Sequence, residues 1–328
     1  MVRESFFLIT SALFILLTLI TIIFALITIL IIVYNWKSQT RSITNLLTCN
    51  SCFTLLYHSL ATLLEILFLS FPVNTILCRI RAYIYYSSCI SLSYSYLIHA
   101  ISRYFITIRY QHKMLLTFHL NWILIVLNWF ISAFFGMIML LIPLALQYEY
   151  ESRMCLLTSK VFLTSLIGVM IAFCFPFLAI IFLYALILYH TTTSRRHLSV
   201  FNTMRLRRNL KVFQMILMFV CILAIGGTPY FICVMMNRVT QIPWPWYSLS
   251  ILCISLSAAL ESLALLFSNS FVKRRFLELI HLQQRTDINI LIGQHQHSTN
   301  YNNHAENVPL HVSLLTTKDN LHEESKVN

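Results

Sequence analysis

The 328-residue chain reads as an all-α membrane protein: a seven-transmembrane helix bundle followed by a short amphipathic eighth helix. Three observations predict it. First, 58% of the residues are hydrophobic and only 10% are charged, against roughly 45–50% and 25% in soluble domains. Second, the few charges bound stretches long enough to cross the hydrocarbon core, which takes about 20 apolar residues as a helix. Third, Lys and Arg collect at alternate ends of those stretches. With only five glycines, the chain has little room for glycine-rich phosphate-cradling loops. A soluble nucleotide enzyme is therefore excluded.

The spans follow in order. No charge lies between Glu4 and Lys37, Arg41 and Glu65, Lys113 and Glu149, Lys160 and Arg195, or Lys211 and Arg238. Helices are the element that leaves no backbone group unpaired in lipid, so the spans are predicted at about 6–34, 43–70, 79–108, 116–146, 160–190, 208–237 and 245–268. The first apolar run is about twice the usual 7–15 residues of a secretory signal, and no small-residue cleavage site follows, so an uncleaved anchor is expected. Placing the N-terminus outside puts Lys37, Arg41, Arg103, Arg109, Lys113, Arg195, Arg196, Arg205, Arg207, Arg208, Lys211 and Lys273 to Arg275 at the cytoplasmic side. It leaves Arg3, Arg79, Arg81, Arg153, Lys160 and Arg238 outside. The net charge of +12 is mostly this asymmetry; it predicts contact with anionic inner-leaflet lipid or a cytoplasmic partner, not with nucleic acid. After span seven, basic and apolar residues alternate at helical spacing, predicting an interfacial helix over about 270–283. Residues 284–328 are polar and predicted to be a disordered cytoplasmic tail. Without an internal repeat, an inverted-repeat transporter is disfavoured.

Cys78 stands at the outer end of span three, and Arg103-Tyr104 follows 25 residues later at its inner end, as Ser102-Arg103-Tyr104. Cys155 lies between spans four and five. Trp129 is in span four; Pro176 in span five has Phe173 before it and Tyr184 after it; Pro229-Tyr230 is in span six; Asn45 and Asn50 open span two. Over roughly residues 6–283 this pattern resembles the rhodopsin-like (class A) G-protein-coupled receptors. It differs from that family where Ser102 replaces the acid before the Arg and Leu55 the sodium-binding Asp of span two. Gly226-Gly227-Thr228-Pro229 stands for Cys-Trp-x-Pro, Leu260 to Ala264 for Asn-Pro-x-x-Tyr, and Asn209 for the acid at the foot of span six. The chain is thus similar to a divergent orphan member.

The resemblance implies a Cys78–Cys155 disulfide, a G-protein-coupling surface of Arg103, Tyr104, Tyr184, Arg205, Arg207, Arg208 and Lys211, and a hinge at Pro176, Gly226, Gly227 and Pro229. Oxidation of the two cysteines also suits their outer position; the other seven are expected to act as small core residues. Arg103 has two readings, a snorkelling cation at the interface or the group that meets Tyr184 and a docked G protein. Because neither Ser102 nor Asn209 can pair with it, raised basal coupling is expected. Two acids fall inside spans. Glu65, in the outer third of span two, is within reach of Arg81, either as a structural pair or to polarise a ligand; Glu261, near the inner end of span seven, reads as structural. Tyr85 and Cys89 share a face of span three and are expected to line a central pocket with Tyr230 and with Trp244 or Trp246, or else to bond helix to helix. His99 reads as packed.

Tyr85 stands where aminergic receptors carry an Asp, and span seven has no Lys for a retinal Schiff base, so a peptide, lipid or small chemical ligand remains. Hydrolase motifs are absent, no cofactor is called for, and the first Asp is Asp287. An enzyme is not expected, and no metal site is assigned; His295 and His297 read as solvated tail. Tail hydroxyls such as Ser298 and Thr316 are candidates for phosphorylation and arrestin binding. The expected function is that of a multi-pass plasma-membrane receptor passing an extracellular ligand's signal to a heterotrimeric G protein. A receptor-like scaffold or decoy is the alternative, and a seven-helix transporter a third.

Overall fold

The computed structural model describes residues 2–34, 42–68, 75–108, 118–149, 152–158, 161–194, 202–240 and 243–278, excepting the side chains of 2–3, 191–194, 202–217 and 244. The chain divides into one unit, Met1–Phe276, and a second, Leu277–Asn328. Of the second only 277 and 278 are described, so the predicted tail lies outside the described residues.

The first unit is an all-α membrane bundle. Its elements are α1 (Val2–Tyr34), α2 (Ile43–Leu67), α3 (Thr75–Ile108), α4 (Phe118–Leu141), β1 (Leu146–Glu149), β2 (Met154–Leu157), α5 (Phe162–Val169), a π turn (Met170–Cys174), α6 (Phe175–Ser194), α7 (Asn202–Met236) and α8 (Trp244–Ser268). α5, the π turn and α6 run on as one helix, and they correspond to predicted span five. The π turn ends two residues before Pro176, whose ring has no N–H to give to the Ala172 carbonyl, and a π turn absorbs the missing bond. α3 packs against α2, α4 and α6, and α8 against α1 and α7.

Among the described residues, five segments are long and apolar enough to cross a membrane: Glu4–Tyr34, Phe118–Leu141, Phe162–His190, Met218–Met236 and Pro245–Ser268. α2 and α3 have the length without the apolar composition. Many of their polar residues face inward, and several of these bond from helix to helix. Ser51 Oγ shares hydrogen bonds with Ser95 Oγ (2.6 Å) and His99 Nε2 (3.0 Å), Tyr57 Oη with Ser87 Oγ (2.7 Å), and His58 Nδ1 with Ser88 Oγ (3.1 Å). Trp129 Nε1 donates to Asn50 Oδ1 at 3.2 Å. Such bonds join helices in a setting where apolar burial supplies little attraction between them.

Span boundaries shift in four of the helices. α1 and α3 begin earlier than expected, at Val2 and Thr75, and α7 begins at Asn202. α4 stops at Leu141 rather than 146, because Pro143 disfavours helix at the residue before it and Leu144 turns the chain with φ 64°. Beyond it comes a feature the sequence reading lacked, the antiparallel hairpin β1–β2, with Tyr148 opposite Cys155 and Glu149 opposite Met154. The cysteines also divide. Cys52 and Cys233 are buried as expected, whereas Cys221 is exposed on α7, where a thiol behaves as a small apolar group.

Residues 270–278 are helical again, as far as the predicted interfacial helix is described. Asn269 starts that helix. Its Oδ1 accepts from the N–H groups of Phe271 (3.2 Å) and Val272 (3.4 Å), as an N-cap does, while its Nδ2 donates to Asn45 Oδ1 at 2.8 Å. Val272 is buried against Ile31, Ile32 and Leu266, and Lys273 and Arg274 are exposed.

Candidate functional site: two cavities and a hairpin anchor

The hairpin is fixed at one end of the bundle by three kinds of bond that meet at Cys155. Its sulfur forms the disulfide with Cys78, in the first turn of α3. Its backbone N–H donates to Glu65 Oε2 of α2 at 2.9 Å. Arg81 of α3 donates from Nη2 to the Cys155 sulfur at 2.9 Å, and its guanidinium lies over the Phe68 ring, 5.1 Å from the centroid. Arg81 Nε and Glu65 Oε1 are 4.0 Å apart, a contact of opposite charges too long for a hydrogen bond, with both side chains buried. Glu65 and Arg81 thus meet, as the sequence expected, and they meet beneath β2. From the hairpin's far side Arg153 forms a bidentate pair with Glu4 at the start of α1 and covers the Phe7 ring at 4.4 Å. The pairing raises the Arg153 pKa, the Glu4 hydrogen bond being the main cause.

Below the hairpin is a cavity of about 100 Å³. Tyr85, Tyr86 and Cys89 of α3 lie on one wall; Leu223, Gly226, Gly227 and Tyr230 of α7 on another; Leu156 and Leu157 of β2 form the roof; Phe173 of the π turn and Ile251 and Ile254 of α8 are among the other lining residues. Tyr230 Oη donates to the Leu157 carbonyl at 3.2 Å, tying α7 to the roof. Of the predicted pocket residues, Tyr85, Cys89 and Tyr230 line this space; Glu65 and Arg81 do not. Trp246 does not line it, being exposed at the start of α8, and the side chain of Trp244 lies outside the described residues.

Gly226 and Gly227 serve here as notches. A Cβ on Gly227 would run into the Phe173 ring, and one on Gly226 into the Ser257 side chain. Phe173 stacks in turn on Phe177, 5.2 Å between centroids. Gly227→Ala is therefore expected to displace the Phe173 ring and cost about 1–3 kcal/mol, as overpacking does. The check is a lower thermal midpoint in detergent, partly restored by adding Phe173→Leu.

At the opposite end of the bundle a second cavity, of about 50 Å³, brings together Thr48, Tyr96, His99, Arg103, Tyr184, Leu265 and Asn269. Arg103 and Tyr184 share this cavity and interact electrostatically. No carboxylate forms a salt bridge with Arg103 among the described residues, and Ser102 beside it is buried. Tyr104 is half-buried in the same turn. Arg205, Arg207, Arg208 and Lys211 lie on the first turns of α7, with side chains outside the described residues. Glu261, expected as structural, is fully buried on α8, where its carboxyl interacts with the Tyr96 hydroxyl of α3.

Two residues of this arrangement went unnoticed in the sequence. Leu223 of α7 lines both cavities, and nothing in an apolar helix distinguishes it from its neighbours. Asn269 joins α2, α8 and the short helix, and a lone Asn after a span carries no signal beyond a possible cap.

The family model described as 7 transmembrane receptor (rhodopsin family) matches residues 25–272, which takes in the last turns of α1, all of α2 to α8 and both cavities. Compared with the curated proteins, the chain has no match. The polar α2 and α3 count as spans within that match, and the chain belongs to the rhodopsin family of seven-transmembrane receptors.

Proposed function

We propose that the chain is a plasma-membrane receptor with its N-terminus and hairpin outside, which activates a heterotrimeric G protein when a ligand occupies the cavity beneath the hairpin. The observation that carries this reading is Leu223, a wall of both cavities on α7. A ligand that moves α7 at Gly226 and Gly227 moves Leu223 with it, and the Pro229 kink lets the two halves of the helix tilt separately. The cavity around Arg103 then opens to the cytoplasm, beside the basic first turns of α7. Energetically the ligand shifts this equilibrium only by its preference for the open form.

Arg103 without a carboxylate partner favours basal activity, since the closed state lacks charge-assisted bonds worth about 1.5–3 kcal/mol each. The receptor in nanodiscs, without ligand, is expected to accelerate GDP release from at least one G-protein class above the rate with empty nanodiscs. Release at the empty-disc rate for every class, with and without ligand, supports the scaffold or decoy reading instead, which the replacements at Ser102, Gly227 and Leu260 to Ala264 favour.

A further inference from the structure

The cavity around Arg103 presents a cation and hydroxyl groups, and nothing of the opposite charge. No Asp or Glu lines it. Glu261, the one acid of α8, lies with the Tyr96 hydroxyl instead. The segments that join helices at this end, 35–42, 109–117 and 195–201, contain six Lys or Arg and no Asp or Glu. Their charges raise the local concentration of anions. Arg103 is half-buried, and its electrostatic neighbours are the Tyr184 phenol and the His99 ring, neither of them an anion. A cation held partly out of water without a counter-charge is costly.

The other polar groups of the cavity divide into spent and unspent. His99 Nε2 is bonded to Ser51 Oγ, Thr48 Oγ1 donates to the Thr44 carbonyl at 2.9 Å, and Asn269 Nδ2 donates to Asn45. The Tyr184 and Ser268 hydroxyls line the same space and have no hydrogen-bond partner among the described residues. A guanidinium with free hydroxyl donors beside it suits an anion, and hydrogen bonds to an ion are stronger than neutral ones. Size narrows the choice. The cavity holds about 50 Å³, and one water needs about 10–15 Å³. There is room for a single small ion with a water or two, and none for a bulky organic anion.

We infer that the Arg103 cavity binds one small monovalent inorganic anion, of chloride size, which the Arg103 guanidinium and the Tyr184 hydroxyl hold as a dissociable counterion. The binding stands on the cavity alone; its bearing on signalling rests on the reading above, in which a docking G protein displaces the ion. A free ion gives up translational freedom on binding, which an acid tethered beside the Arg does not. It therefore holds the closed state less firmly than such an acid, and basal activity persists.

Quadrupolar relaxation of chloride tests this on the purified chain in phosphatidylcholine nanodiscs, without G protein. Chloride is exchanged against gluconate at constant ionic strength, with empty discs as the baseline. The expected result is one saturable site in the wild type, displaced by bromide. Its affinity falls about tenfold in Tyr184→Phe, the worth of one hydrogen bond to an ion, and the site is lost in Arg103→Gln. Should Arg103→Gln not fold, Tyr184→Phe and the bromide competition decide the matter. No saturable site in the wild type, or an affinity unchanged in Tyr184→Phe, overturns the inference. So does displacement of chloride by an equal concentration of phosphate, or by phosphatidylglycerol added to the disc, since either assigns the site to a phosphate group. Chloride binding without nucleotide exchange sinks the G-protein reading alone, leaving this one standing.

Discussion

Arg81→Met is expected to destabilise the receptor by about 3–5 kcal/mol, because it leaves Glu65 buried with its counter-charge gone. The methionine fills much of the volume, so lost charge rather than lost packing dominates. Adding Glu65→Gln should recover most of the loss, since a neutral amide keeps an acceptor for the Cys155 N–H and removes the stranded carboxylate. Thermal midpoints of the detergent-solubilised proteins measure this. A double variant as unstable as the sum of the singles would show that the two side chains, 4.0 Å apart, do not act on one another.

The second large effect is at the disulfide. Cys155→Ser frees a loop whose closing residues are separated by 77 positions, and removing such a bridge costs about 2–5 kcal/mol. Here the loss reaches further than chain entropy, since the Cys155 sulfur is also the acceptor for Arg81. The hairpin roof then rests on the Glu65 and Tyr230 bonds and on the Arg153–Glu4 pair. Surface expression should drop steeply, and the combined Cys155→Ser and Arg81→Met chain should lose less than the two losses added, because both detach the same strand. Strict additivity would place Arg81 outside the hairpin's anchor.

How far these features were legible in the sequence differs element by element. The spans could be found because lipid permits no unpaired charge or backbone group, so the gaps between charges are themselves structural. That rule located α2 and α3 despite their Ser, Thr and Asn content, which an apolar-composition test passes over. The hairpin was hidden. Its strands have four residues each, β2 is buried on all four and so shows no alternation, and the turn between them contains no Gly or Asn; Arg153 itself takes the left-handed conformation, φ 57°. Glu149, read only as the end of a charge-free stretch, is a buried member of β1.

In the site, Cys78, Tyr85 and Cys89 were readable because their spacing along α3 fixes which end and face they occupy, while Cys155 and Tyr230 were readable through the family resemblance. Gly226 and Gly227 looked like flexibility; their packing against Ser257 and Phe173 depends on partners that are distant in sequence. Glu65 and Arg81 were legible as a pair, but their position depends on a hairpin that the residue pattern does not announce.

The claim on which the functional account turns is that Arg103 carries the signal to a G protein. GDP release from purified G protein, measured with wild-type and Arg103→Ala receptor at equal surface level and with matched thermal midpoints, tests it most directly. The account predicts ligand-free release above the empty-membrane rate for the wild type, falling at least tenfold toward background in Arg103→Ala. Equal release by the two proteins, or none by either at any ligand concentration, would contradict it.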